Sequence, residues 1–449
     1  MSDSHVKCIC ISELDPYPEY NDSDIEWIGK IPKEWDTVRI KWFSPVKRGA
    51  SPRPIDDPIY FDDNGDFSWV RIADVTSSER YLEKTTQKLS DLGSSLSVKQ
   101  YPGDFFVSIA GSVGKPIITK IKCCIHDGFV WFPKLKLNSE YLYYIFTSGE
   151  PYKGLGKLGT QLNLNTETVG NISIPLPPEE YEINEIVSFL DRETSLIDML
   201  VEKKQHFIEL LEEKRAALIS HTVTKGLDHD VPTKYSGIEW IGEIPERWEV
   251  NKLKHSASIN PNVLPENTDP EFVLKYVDIG NVGLGKMVDS PKEMKFIDAP
   301  SRARKVVREN DIIISTVRTY LKAILHLINP EPNLIVSTGF AVLRPRSFVN
   351  HRYLFYLIRS NQFIDSVMSH SEGVSYPAIN SSSLGDLPIC YPPLPEQQAI
   401  ASYLDRETAQ IDTLLEKIKQ SIEYLKEYRT ALISDAVTGK IDVRGTVCE

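Results

Sequence analysis

Several short stretches of this 449-residue chain hold residue types that could do chemistry, and each departs from the pattern its chemistry needs. Gly111-Ser-Val-Gly-Lys115 has the flavour of a phosphate cradle, in which backbone N–H groups and a lysine wrap an anion. Ile109 stands where the first glycine belongs, and Pro116 replaces the hydroxyl residue. Gly280, Gly283 and Gly285 are wrongly spaced for a dinucleotide fingerprint. Glu293-Met-Lys295 with Asp278 or Glu271 upstream could imitate a nuclease, which holds a divalent metal between carboxylates beside a lysine. Such triplets arise by chance in a chain rich in Glu and Lys. Cys123, Cys124 and His126 form one metal-ligand group with no partner group. A base-gripping loop of the Asn/Asp-Pro-Pro-aromatic kind is approached only by Tyr391-Pro-Pro393 and Asn260-Pro261, and neither fits. The nine histidines include no HExxH. The residues therefore point to a binding protein without catalysis, cofactor or metal of its own.

What would position its binding residues is written in a repeat. Residues 25–35 read IEWIGKIPKEW and residues 238–248 read IEWIGEIPERW. Residues 189–228 and 403–442 match again, and about 20 of the first roughly 36 positions from Asp191 against Asp405 are identical without a gap. The two offsets agree, at about 213 and 214 positions. The chain is two copies of one unit: an aromatic-proline lead-in, a variable stretch of roughly 140 residues and a charged segment, with pseudo-twofold symmetry.

The charged segments read as helices. Ile411, Leu415, Ile418, Ile422, Leu425 and Leu432 recur in steps of four and three, with Arg429 filling the remaining place. Ile197, Val201, Ile208, Leu211 and Leu218 repeat the steps, interrupted by Lys204 and Arg215. Prolines 175–178 and 392–395 mark the starts, and Gly226 and Gly439 the ends. A rod of about 60 Å cannot bury its apolar stripe alone, so the two helices are expected to pack on each other, antiparallel. The variable stretches carry short β-type runs at 67–75, 104–111, 311–317 and 340–345, then helical pieces at 141–148 and 352–360. The expected fold class is α+β: two globular domains joined by two long helices in an antiparallel coiled coil. The expected boundaries are an N-terminal tail 1–24, a first domain 25–175, a helix 176–228, a linker 229–236, a second domain 237–392, a helix 393–440 and a tail 441–449.

The net charge of −12 argues against a polyanionic partner until it is split by region. The segment 176–231 sums to roughly −7, whereas residues 28–175 come to about +3. Residues 286–359 carry about 13 basic against 6 acidic groups, among them Arg302, Arg304, Lys305, Arg308, Arg318, Lys322, Arg344, Arg346, Arg352 and Arg359. That stretch reads as a surface facing nucleic acid. No apolar run approaches the roughly 18 residues of a membrane span, no secretory segment opens the chain, and the six cysteines form no CxxC pair. A cytoplasmic protein is expected.

The repeated lead-in, the segment PPLPEQQAIASYLDRETAQID and STVRTYLKA at 315–323 resemble the specificity subunit of type I DNA restriction–modification enzymes, from about residue 20 to 445. The first copy departs from that pattern, with PLPPEEYEIN in place of the PPLPEQQ run, which is expected to loosen one subunit contact at most. The resemblance implies that each variable domain is a target-recognition domain reading one half of a bipartite, asymmetric double-stranded DNA target. It implies helices that set the gap between half-sites and dock two methyltransferase subunits, with restriction/translocase subunits joining the complex. S-adenosylmethionine, ATP and Mg²⁺ would belong to those partners. Within that frame Lys115, Arg318 and Lys322 follow predicted strands, where loops can reach DNA, and Gln161 and Tyr376 sit in corresponding late loops. Arginine can read guanine bidentately and lysine can hold a phosphate. Trp27, Trp35, Trp240 and Trp248, repeated in both copies, are expected to anchor structure near the helices rather than to stack bases. A stand-alone DNA-binding protein on the same scaffold is the alternative.

Overall fold

The computed structural model describes residues 14–153, 155, 164–228, 230–239, 241–373 and 375–446. The chain divides into two compact units, residues 1–204 with 420–449 and residues 205–419. Each unit contains part of both long helices, Glu180–Lys225 and Leu394–Val437. Gly226 and Gly439 take positive φ just beyond the helix ends, where a residue with a Cβ would be strained. Pro395 lies inside the first turn of the second helix, where its missing N–H leaves no bond unmade.

The first unit holds two sheets. In one the order is Lys47–Arg48, Phe129–Trp131, Phe105–Ser108, Pro116–Thr119 and Tyr81–Leu82. In the other it is Gln87–Leu89, Phe67–Val70, Cys123–Ile125 and Val98–Gln100. The second unit repeats the plan. One sheet runs Ala257–Ile259, Phe340–Pro345, Ile312–Ser315 and Ile324–His326; the other runs Lys292–Lys295, Val273–Val277, Leu334–Ser337 and Ala303–Val306. In each second sheet the central pair is parallel, with Val70 opposite Ile125 and Val277 opposite Val336. Phe105–Ser108, Pro116–Thr119, Ile312–Ser315 and Leu334–Ser337 are buried along their whole length, which is why they read as unbroken apolar runs rather than alternating ones. The run 67–75 is not one strand. Asp74 accepts a hydrogen bond from the Arg71 N–H (2.9 Å), and the helix Ile72–Ser77 begins there.

Within the first unit, Ile183, Ile186, Phe189, Leu190 and Ile197 of one helix share a core with Leu432, Ile433, Ala436 and Val437 of the other. Within the second, Ile219 and Val223 share one with Ile400, Ala401 and Leu404. Within each unit the pairing is antiparallel, as the seam implies, and Ile411, Leu415, Ile418 and Ile422 are buried. Asp198 accepts from Arg429 in the first unit (2.9 and 3.1 Å), and Asp412 accepts from Arg215 in the second. These two ion pairs are repeat-related, about 214 positions apart.

The lead-in tryptophans fasten each unit to its helices. Trp35 Nε1 donates to Glu182 and Trp248 Nε1 to Glu396, both at 3.1 Å. Both rings are buried, whereas Trp27 is half-buried and Trp240 lies outside the described residues. The departing lead of the first helix is absorbed inside its unit. Where Gln397 donates to Phe348 O and Pro392 O and accepts from Asn350 N, the first copy has Ile183 in the apolar core.

A second fastening is built twice from different parts. Tyr144 and Tyr356 donate to Asp191 (2.6 Å) and Asp405 (2.7 Å), each beside a threonine, Thr194 or Thr408. In the first unit the cation is Arg80, which bridges Asp191 and Glu140 beneath the rings of Tyr143 and Tyr144. In the second it is Arg352, on Asp405. Glu140 and Arg352 occupy the same place, since Asn138 and Asn350 cap the two helices two residues earlier. The arginine has exchanged sides of the same contact.

Candidate nucleic-acid interface

In each unit one sheet carries a hairpin that leaves the core at a serine. In the second unit the strands Ile312–Ser315 and Ile324–His326 are joined by residues 316–323. The loop is fixed at its base. Thr316 donates to Gly339 O through its N–H (2.7 Å) and its hydroxyl (3.0 Å), and Ser315 N–H donates to Ala323 O (2.9 Å). Its tip is a single 3₁₀ turn, Thr319–Leu321, flanked by Arg318 at φ 52° and Lys322 at φ 51°. Left-handed backbone is uncommon for residues with a Cβ, and such strain concentrates at functional sites.

The late loop of the same unit is stitched to this hairpin. Ile379 N–H donates to Thr316 O (2.8 Å), Val317 and Ala378 form a bridge, and the Thr319 and Ser371 hydroxyls lie 3.1 Å apart. This brings together two candidates that are far apart in sequence. The Arg318 guanidinium lies 5.0 Å from the centroid of the Tyr376 ring, and Tyr376 is 64% exposed. A guanidinium stacked on a ring keeps its N–H edge directed outward, a geometry suited to a base edge or phosphate. Lys322 closes the turn, its N–H donating to Thr319 O (3.1 Å).

The first unit builds the same hairpin with different residues. Gly111, at φ 66°, stands at the place of Arg318, and an added Cβ there would meet Ile72 Cγ2 at 2.6 Å. Lys115 Nζ donates to Thr76 O (3.0 Å) and Ser78 O (2.5 Å) at the end of the helix Ile72–Ser77. Burial lowers its pKa. Lys115 thus ties the hairpin to that helix, with two of its three N–H groups engaged. Thr76 and Ser112 place hydroxyls 2.7 Å apart beside it. Gln161 lies outside the described residues.

The basic stretch 286–359 sorts into two kinds of residue. Arg344 grips the buried Asp311 with two bonds of 2.7 and 2.8 Å, Arg352 serves Asp405, and Arg302 pairs with Asp278 at 2.9 Å. Lys305 is buried on the carbonyls of Thr338 and Phe340, and its pKa is pushed down to about 8 by burial. Arg359 is half-buried over Phe355 and Tyr356. Apart from the exposed Arg302, those arginines and lysines hold the fold, so the expected basic surface narrows to groups such as Arg302, Arg308, Arg318 and Arg346. Glu293 and Lys295 lie on an outer strand, where Lys295 pairs with Glu271 (2.7 Å). Among the described residues no cluster of three His, Cys, Asp or Glu could hold a metal ion, and no helix is long and apolar enough to cross a membrane.

Sequence reasoning passed over Thr76 and Ser112, and the exposed Tyr320 and Leu321. The signal available was the abrupt end of two apolar strands at Ser108 and Ser315.

Two like units, each with a rigid hairpin tipped by different residues and each containing part of both long helices, define a duplicated recognition scaffold. Residues 32–209 and 245–424 match the type I restriction modification DNA specificity domain. The chain belongs to that family and is a specificity subunit, the non-catalytic DNA-recognition component of a type I system. It is 24% identical to the MjaIX specificity subunit of Methanocaldococcus jannaschii over 95% of this chain and 97% of that protein. The MjaVIII specificity subunit of the same organism is 26% identical over the same shares. Among solved structures, a chain from a study of type I R-M complex assembly superposes with a TM-score of 0.69 at 19% identity, covering 93% of this chain and 99% of that one. The HsdS subunit of Thermoanaerobacter tengcongensis gives 0.51 at 18% identity, covering 92% and 98%.

Proposed function

We propose that this chain reads a bipartite, asymmetric DNA target, with residues 25–175 and 237–392 as the two recognition domains. The observation that carries the reading is the repeated hairpin, which keeps its frame and changes its tip from Gly111-Ser-Val-Gly to Arg318-Thr-Tyr-Leu. Two different readers on like frames select two different half-sites. Arg318, stacked on Tyr376, contacts a base edge, and Lys322 a phosphate. Lys115 holds the first hairpin in shape, so that Ser112 faces the first half-site, and Gln161 contacts a base there. The long helices fix the gap and dock two methyltransferase subunits, to which restriction/translocase subunits are added. S-adenosylmethionine, ATP and Mg²⁺ are bound by those partners, and the assembly works in the cytoplasm.

The test is base-resolution mapping of methylated adenines in the host genome with and without the gene. Loss of one split motif, two short half-sites with a fixed gap, is the expected result. An unchanged pattern would mean that the methyltransferase partner is silent or absent, or that the scaffold serves a stand-alone binder.

A further inference from the structure

The tip of the second hairpin presents apolar side chains to solvent between two cations. Val317, just before the turn, and Tyr320 and Leu321, on it, are 37%, 47% and 45% exposed, and the turn is held at both ends by the left-handed residues Arg318 and Lys322. Beneath them Thr319 is buried and bonded to the late loop, so the turn has a rigid footing. Three neighbouring apolar groups projecting from a fixed turn are not needed by the core, which closes below at Ser315, Thr316 and Thr319. The first hairpin has no such feature. Its tip is Gly111, Ser112, Val113 and Gly114, and Val113 packs against the core of its own unit.

We propose that Tyr320 and Leu321 form a wedge that enters the duplex at one base step of the half-site read by the second unit. The wedge partly unstacks that step, while Arg318 and Lys322 hold the phosphates on either side. The flanking cations select DNA over an apolar protein surface as the occupant, since a wedge inserted between bases sits inside a ring of phosphates. An aromatic ring and a branched aliphatic chain are the side chains that replace base stacking most effectively. The inference rests on the DNA-recognition reading above and adds an asymmetry: one half-site is distorted and the other is not. A flexible pyrimidine–purine step is then favoured at the wedge position, without a hydrogen bond to either base.

The experiment uses the full chain with its methyltransferase and a duplex carrying the mapped split motif. 2-Aminopurine is placed in turn at each position except the methylated adenines, which the methyltransferase itself extrudes. A several-fold rise in fluorescence at one step of the second half-site, absent with Tyr320→Ser/Leu321→Ser and absent throughout the first half-site, is expected. Both side chains are exposed, so the double variant should melt with the parent, and a melting control establishes this. No rise at any step while the motif is still bound overturns the wedge. Loss of methyltransferase co-purification with DNA binding intact overturns it too, by assigning the patch to protein. If no split motif depends on the gene, the DNA-recognition reading itself fails, a result separate from either.

Discussion

Arg80→Ala takes away the guanidinium that lies between Glu140 and Asp191 and faces the rings of Tyr143 and Tyr144. The Arg80 side chain is only 15% exposed, and the two carboxylates are 29% and 45% exposed. Removing one partner of a fully buried pair costs about 3–5 kcal/mol. Here both carboxylates regain some water, which lowers the penalty, but they also face each other uncompensated. About 2–3 kcal/mol is the balance. For a unit of this size that corresponds to a fall of roughly 4–12 °C in melting temperature. The arrangement of the second unit supplies the rescue. Combining Arg80→Gly with Glu140→Arg copies the Arg352 arrangement of the second unit and should restore at least half of the loss. Calorimetry on the parent, Arg80→Ala, Arg80→Gly and the double variant reads this directly. A single variant melting within about 1 °C of the parent, or a double variant no better than Arg80→Gly, would refute the exchange of one contact between two sites.

Four further outcomes are expected. Arg318→Ala should weaken binding of the mapped duplex by about 1–3 kcal/mol and relax one base position, read by fluorescence anisotropy on substituted duplexes. Arg318→Gly should lose binding equally yet raise stability by up to about 1 kcal/mol, because the residue sits at φ 52°. His326 is buried against His351 and Arg352, and burial first, then those two cations, push its pKa down to about 4, against the pull of Asp405. With the folded value below the unfolded one, stability is complete above about pH 6.5 and is lost as pH falls towards 4, so His326→Gln should flatten that part of a melting-versus-pH curve. Trp248→Phe, which leaves Glu396 without the indole donor, should destabilise the second unit by about 1–2 kcal/mol in urea titrations, and an unchanged midpoint would show that the ring alone anchors the lead-in.

The helical frame was legible because its signals are local. Heptad steps, bounding prolines and the glycines at 226 and 439 act within a few residues of the feature they mark, and the duplicated segments confirmed each other. Trp35 and Trp248 were legible as anchors for the same reason. The sheets were legible only as strands. The parallel partners Phe67–Val70 and Cys123–Ile125 are separated by some fifty residues, and nothing local records which buried run pairs with which. The charge count located a basic stretch but could not separate Arg344, committed to Asp311, from Arg318, stacked and exposed. Lys115 shows the same limit: its position after a strand is a matter of sequence, while its two carbonyl partners come from a helix nearly forty residues earlier. The meeting of Arg318 with Tyr376 needed both loops in place.

The chain enters and leaves each variable stretch through neighbouring strands. Asp36–Arg39 pairs antiparallel with Ser173–Leu176, and Glu249–Lys252 with Pro388–Tyr391. Everything between is suspended from two adjacent ends, as a cassette is held in its slot. A genetic crossover at those strands could import a foreign cassette while leaving the slot's hydrogen bonds intact, because backbone groups, not side chains, make them. The exchanged segment would also carry Arg80 and Glu140 together, or Arg352 in their place. A crossover between the two members would strand like charges or remove both, and such mosaics should be scarce among inherited alleles.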